Sequence, residues 1–273
     1  LPMLPRTASM IFGTILRAAG DTKTPMKIGV LVNLINVALN FLMIYPTRTV
    51  TLLKIQLFLP GLGWGVIGAA VASAVAFTAG GLLITIVVYR HPLVSFKGRS
   101  LKPDMKILKP CFQVALPNMM QRFGTSLGYV VFASMINSIG EVATAAHTIA
   151  NTVESAFYIP GYGMQTAAAT LAGNALGAQD NRKARNLAQM IISIEFVLMV
   201  ISGGLLFAFA PQMMRLFSGD QEVIMLGSIV LRMVALSEPF YGIAIIIEGM
   251  MQGMGNTVMP FIFSITGMWG VRI

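Results

Sequence analysis

The sequence predicts an all-α polytopic membrane protein, and three observations carry the prediction: composition, the length of its charge-free runs, and where its basic residues fall. Hydrophobic residues fill 56% of the 273 positions and charged residues 11%, against roughly 45–50% and about 25% in soluble domains. A bilayer-spanning helix needs about 20 predominantly apolar residues in succession, so the test is whether the apolar residues are gathered into runs of that length.

Taken in order, they are. The opening LPMLPRTASMIFGTIL reads as the tail of a helix. Residues 28–45 carry no charge, and residues 61–89 form a longer run containing GVIGAAVASAVAFTAGGLLITIVVY. Residues 111–139 are interrupted only by Arg122, 142–176 only by Glu154, and 188–214 only by Glu195. Residues 223–253 hold Arg232, Glu238 and Glu248 in an apolar context, and 258–270 read as the beginning of a further helix. With no initiator Met, no charged leader and no cleavage site, the chain is expected to be an internal piece of a longer protein.

The net charge of +9 would fit nucleic-acid binding only if it formed a basic face on a soluble domain. Instead the charges alternate by connection. Arg17, Lys23 and Lys27, then Arg90, Lys97, Arg99, Lys102, Lys106 and Lys109, then Arg182, Lys183 and Arg185 occupy the odd connections, while Arg48, Lys54 and Arg215 are all that the even ones hold. This is the positive-inside pattern and places the odd connections in the cytoplasm. No nucleic-acid partner is expected. The single cysteine, Cys111, offers neither a disulfide nor metal-ligand spacing. His91 and His147 have no spaced partners, so the constellation an intramembrane enzyme needs is missing, and no ring of residues of the kind a channel filter needs is found.

ILRAAGDTKTPM at 15–26 returns in outline as MMQGMGNTVMPF at 250–261, with Gly20, Thr22 and Pro25 meeting Gly255, Thr257 and Pro260 at a constant offset of 235. Six apolar segments separate the copies, an even number, so both face the same side and the repeat is parallel. Parallel repeats about an axis along the membrane normal are a transporter architecture with the substrate cavity between the halves. Locally the motif reads as a helical hairpin: Gly ends one helix, Asp21 or Asn256 with Thr caps the next, and Pro fits its first turn. The longest basic connection marks the boundary, giving residues 1–94 as one lobe, 95–109 as a linker and 110–273 as a second lobe.

Within the spans, Asn33, Asn36 and Asn40 recur at steps of three and four and form one polar stripe, which either binds a neighbouring helix or lines a cavity. Ionisable groups at membrane depth are functional candidates by their cost: Arg122, Glu154, Glu195, Arg232, Glu238 and Glu248. Glu238 and Glu248, ten residues apart, lie about 15 Å apart along one helix and read as two stations on one cavity; pairing of a glutamate with Arg122 or Arg232 is the structural alternative. Pro117, Pro239 and the YIPGYG stretch around Pro160 are expected to interrupt their helices. GAAVASAVA reads as a close-packing face.

LRAAGDTKTP, GWGVIGAAVAS, AAHTIANTVESAFYIPGYGMQTAAATLAGNALGAQD and EGMMQGMGNT resemble the multidrug and toxic compound extrusion (MATE) transporters, in order and over nearly the whole chain. The resemblance implies a twelve-helix architecture, here from the end of the fourth helix to the beginning of the eleventh. It further implies export of organic, often cationic, compounds by alternating access, driven by inward Na⁺ or H⁺, with no other cofactor and a monomer in the cell membrane. Asn36 and Asn40 match an Asn and an acidic position of a family cation site and Ser73 a hydroxyl on the next helix, which makes these three the implied Na⁺ ligands. Asn40 departs from the family by lacking the carboxylate. A family carboxylate in the seventh helix meets Thr125 here, with Gln121 one turn earlier, and one in the tenth meets Tyr241, with Glu238 one turn away. A lipid-linked sugar flippase of similar helix count is the rival reading.

Overall fold

In the computed structural model, residues 2–52, 55–98 and 104–273 are described, with side chains at all of these except 49–52, 55–60, 181 and 183. Lys54, Arg99 and Lys102 lie outside the described residues, as does the side chain of Lys183. The described chain forms α1 (Met3–Ala18), α2 (Lys23–Ile44), a hairpin of β1 (Pro46–Leu52) and β2 (Ile55–Leu62), α3 (Gly65–Arg90), α4 (Met105–Ile139), α5 (Glu141–Gly177), α6 (Asn181–Arg215), α7 (Gln221–Gly253), α8 (Val258–Thr266) and a π-helical turn, Gly267–Arg272. It divides into two compact units, Leu1–Lys102 and Pro103–Ile273, and the division falls inside the basic connection.

Among the described residues, four helices are long and apolar enough by length and composition to cross a membrane: α2, α3, the Ala184–Arg215 part of α6, and α7. The apolar runs at 111–139 and 142–176 also predict spans in α4 and α5. These are 35 and 37 residues long, ample length at about 1.5 Å per residue. They fall short in apolarity, because Asn118, Gln121, Arg122 and Thr125 punctuate α4, and Asn151, Glu154 and Gln165 punctuate α5. Both can still cross the bilayer provided that these polar residues face other helices or water and not lipid.

In the first unit, α3 is the centre, packed against both α1 and α2. Its small residues permit this, as the GAAVASAVA reading expected: Ala72 and Ala76 are buried, and a Cβ at Gly80 would stand 2.5 Å from Val32 Cγ2 while one at Gly81 would stand 2.5 Å from Pro5 O. Leu16, Ile28, Ile84 and Val88 close the core of the three helices. The hairpin was not foreseen. Its antiparallel ladder runs from Pro46–Leu62 to Leu52–Ile55, and Thr47 clamps its open end, donating from Oγ1 to Gly61 O at 3.1 Å and accepting from Gly61 N–H at 3.2 Å.

In the second unit α5, α6 and α7 pack mutually, and α4 pairs with α8. Ala146, Ala150 and Val153 of α5, Leu206, Ala210 and Met214 of α6, and Val223, Ile224, Leu231 and Ala235 of α7 form one core. Pro117, Pro160 and Pro239 do not interrupt their helices as expected; α4, α5 and α7 run through them. Pro211 of α6 deprives the Phe207 carbonyl of its usual donor, and Arg232 of α7 supplies one, Nε donating to Phe207 O at 3.4 Å. Arg232 is therefore an interhelical tie, and neither it nor Arg122 pairs with a glutamate among the described residues.

The repeated motif has the same geometry in both copies. Ala19, Gly20 and Asp21 N–H donate to Ile15, Arg17 and Leu16 O at 3.0, 3.0 and 2.9 Å, and Met254, Gly255 and Asn256 N–H donate to Met250, Gln252 and Met251 O at 3.0, 3.0 and 2.9 Å. Gly20 (φ 90°) and Gly255 (φ 83°) both adopt the left-handed conformation, as a glycine-ended helix requires. Asp21 Oδ1 accepts from Thr24 N–H at 3.0 Å, and Asn256 Oδ1 from Met259 N–H at 3.4 Å. The α5–α6 turn is a third instance: Ala178, Gln179 and Asp180 N–H donate to Asn174, Leu176 and Ala175 O, with Gln179 at φ 55° where the others have glycine.

Candidate functional site

Asn36 and Asn40 stand one turn apart on α2, both half-buried against α3. Asn40 Nδ2 donates to Asn36 Oδ1 at 3.0 Å, and Asn36 Nδ2 donates to Ser73 Oγ of α3 at 3.2 Å. Asn40 Oδ1 is buried without a hydrogen-bond partner. The structure thus joins Asn36, Asn40 and Ser73 in one relay ending in a free acceptor. Asn33 does not join it. It is exposed, although seven residues bring it within about 20° of Asn40 around the helix axis, two turns earlier along α2.

The second unit holds two further polar groupings, and they are separate. Glu248 of α7 is tied, its Oε1 accepting from Gln252 Nε2 at 2.8 Å and from Gln121 Nε2 of α4 at 2.9 Å. Gln121, 4% exposed, also donates to Ser264 Oγ of α8 at 2.8 Å. Glu248 therefore belongs to a bridge across α4, α7 and α8, and Thr125 hydrogen-bonds its own helix at Gln121 O. Arg122, one residue on from Gln121, points outward and is exposed.

Glu238 lies elsewhere. It is 1% exposed, neither carboxylate oxygen has a hydrogen-bond partner, and its Cβ would stand 3.4 Å from a Cβ on Gly203 of α6. Glu238 and Glu248 thus do not face one cavity. Ten residues carry the helix to an angle about 80° away, so one glutamate meets α6 and the other α4 and α8.

Around Glu238 is a cluster of tyrosines. Tyr241 follows it on α7 by three residues, and Tyr158 follows the half-buried Glu154 on α5 by four. The Tyr158 ring meets Tyr162 edge-on at 5.4 Å and Tyr241 at 6.0 Å, and the Tyr162 and Tyr241 hydroxyls are 3.4 Å apart. Tyr162 and Tyr241 are 38% and 41% exposed, so the cluster offers open ring faces with two carboxylates behind it. Glu154 and Glu238 lie within electrostatic range of one another. In the sequence Glu154, Glu238 and Tyr241 stand out as candidates, whereas YIPGYG stands out for its proline and glycines. The signal for Tyr158 and Tyr162 was there, two tyrosines at i and i+4 one turn after a glutamate. Glu195 of α6, also named in the sequence, is fully buried between α5 and α7.

Comparison with known proteins points one way. Residues 117–273 match the family model described as MatE. The chain is 27% identical over 263 residues to the probable multidrug resistance protein NorM of Thermotoga maritima, covering 96% of this chain and 54% of that one. It is 26% identical over 276 residues to human multidrug and toxin extrusion protein 1, covering 100% of this chain and 46% of that one. Among solved structures, a MATE in the straight conformation superposes with a TM-score of 0.83 at 23% identity, over 97% of this chain and 56% of that one. A MOP superfamily transporter from Pyrococcus furiosus gives 0.80 at 25% identity, over 96% and 56%. The chain spans about half the length of the relatives it matches.

Proposed function

This chain belongs to the MatE family, and from that premise we propose that it serves secondary-active export of organic, often cationic, compounds by alternating access, coupled to inward flow of Na⁺ or H⁺. The observation that carries the reading is the tyrosine cluster with its two carboxylates. An organic cation gains about 0.5–2 kcal/mol over an aromatic face, more as water is excluded, and Tyr162 and Tyr241 present such faces. The unit already holds one cation this way, with the Arg272 guanidinium 4.9 Å from the Tyr129 ring centre and 4.4 Å from that of Phe132.

Behind the rings, Glu238 takes the coupling cation. A buried carboxylate with both oxygens unpartnered is unstable as a bare anion, and whichever cation neutralises it removes the charge that would hold an organic cation at Tyr241. Exchange of one for the other is antiport. In the first unit Asn36, Asn40 and Ser73 supply neutral oxygens, a set that suits Na⁺ better than a proton. The protein works as a monomer in the cell membrane with its basic connections cytoplasmic.

The test is efflux of ethidium from vesicles containing the purified protein, with an imposed Na⁺ or pH gradient. Gradient-driven efflux is expected, and Glu238→Gln should lower it about tenfold or more, equivalent to roughly 1.4 kcal/mol. Asn40→Asp should shift its Na⁺ or pH dependence. If the wild-type protein shows no gradient-dependent efflux, the exporter reading is wrong, and movement of a labelled lipid-linked sugar in the same vesicles would put the flippase in its place.

A further inference from the structure

A second carboxyl in the same three helices has no part in the export site. Glu195 of α6 is 0% exposed, and both its oxygens are without a hydrogen-bond partner. Two glycines on different helices make room for it. A Cβ on Gly161 of α5 would stand 2.7 Å from Glu195 Oε1, and one on Gly242 of α7 would stand 3.3 Å from both Oε1 and Cγ. The fully buried Met199, one turn on along α6, closes the same space, with Cε 2.7 Å from the Gly161 position. The result is a fitted socket for a carboxyl group walled by glycine backbone and a thioether.

The ionisable groups that flank Gly161 and Gly242 along the packed helices are Glu154, Tyr158 and Tyr162 on α5 and Glu238, Tyr241 and Glu248 on α7. None hydrogen-bonds or ion-pairs with Glu195. A bare carboxylate is not stable in such surroundings, so something must neutralise it. A hard metal cation asks for several oxygen ligands in a shell, and of the side chains that shape this socket only the carboxyl itself offers oxygen. A proton needs nothing more.

We propose that Glu195 is a proton-binding site of the second unit, filled while α5, α6 and α7 are closed on one another and emptied when they part. Gly242 is one helical turn beyond Glu238, so any movement of α7 that serves Glu238 also opens or shuts the Glu195 socket. The proton on Glu195 then reports, and biases, the conformation of the three-helix group. The inference does not depend on which compound is exported, nor on Glu238 carrying the coupling cation.

The test is infrared difference spectroscopy of the purified full protein across a pH step, with proton uptake counted alongside. The wild-type protein should show the carbonyl band of a protonated carboxylic acid in an apolar setting. Glu195→Gln, neutral and nearly isosteric, should delete that band and lower the proton count by one per molecule. Glu238→Gln should leave it. Gly161→Ala, which keeps the acid but presses a methyl against Oε1, should move the band and its pH midpoint, and covers the case in which Glu195→Gln does not fold. A band and proton count unchanged in Glu195→Gln, or unchanged in Gly161→Ala when the first variant does not fold, overturns the proposal whatever the efflux assay finds.

Discussion

Asp21 and Asn256 hold equivalent places in the two copies of the hairpin motif, yet only one can titrate. The Thr24 hydroxyl and the Thr24 amide both hydrogen-bond the Asp21 carboxylate and hold it below the usual carboxylate range. A group whose folded value is depressed contributes stability that is present above its unfolded value and lost as pH falls through the folded one. The first turn of α2 should therefore keep its cap at neutral pH and lose it only in acid below the ordinary aspartate range. The first turn of α8, capped by Asn256, should not respond. Amide exchange at Thr24 and Met259 measures both in one protein, and equal acid sensitivity at the two sites would refute the assignment. At this scale the sequence was informative wherever chemistry is local. Asp21 and Asn256 were legible as caps because capping is decided within a few residues. Glu195 and Glu238 were legible as costly, but what surrounds them was not, since Gly161, Gly203 and Gly242 come from other helices. Asn33 keeps its place on the stripe, but sequence does not say which of the three asparagines the neighbouring helix covers.

The helical hairpins show what one residue does to an element. Three helices end with the same pattern of backbone hydrogen bonds, and two reach it through glycine at positive φ while the third uses Gln179 at φ 55°. A side chain in the left-handed region costs roughly 1–2 kcal/mol, offset in part by the greater freedom glycine has when unfolded. Gln179→Gly should thus stabilise the α5–α6 turn by a net of about 0.5–1 kcal/mol. The measured sign is a rise in Tm in detergent, and the reverse change, Gly20→Gln, should lower it. The helices themselves were readable because an apolar run of membrane length has few alternatives. The β1–β2 hairpin was not, because TVTLLKIQLF is a short β-branched alternation lodged between two long apolar runs, and the runs dominate any window that contains it. Prolines misled for the opposite reason. Their local effect is strong, but Arg232 reaching Phe207 O shows how a neighbouring helix absorbs it.

Across the whole chain, the strongest statement in the sequence concerns direction. Twelve basic residues occupy the odd connections and three the even ones, a bias of the kind that orients a chain during insertion because cationic loops are retained in the cytoplasm. The structure gives this a testable form. The connection from α3 to α4 contains the exposed Lys97, and the connection from α6 to α7 contains the exposed Gly219. Three helices, α4, α5 and α6, separate these points along the chain, so the alternation of charge assigns them to opposite sides. Cys111 is the only thiol in these 273 residues, and Cys111→Ala provides a background without it. In intact cells, a maleimide that cannot cross the membrane should label Gly219→Cys and leave Lys97→Cys unlabelled, and permeabilised cells should label both. Labelling of Lys97→Cys from outside would reverse the orientation. Equal labelling of both in intact cells would mean that the chain inserts in two directions, in which case the positive charges do not govern it. The outcome also bears on transport, since inward flow of the coupling ion has a direction only when the basic connections lie on one defined side of the membrane.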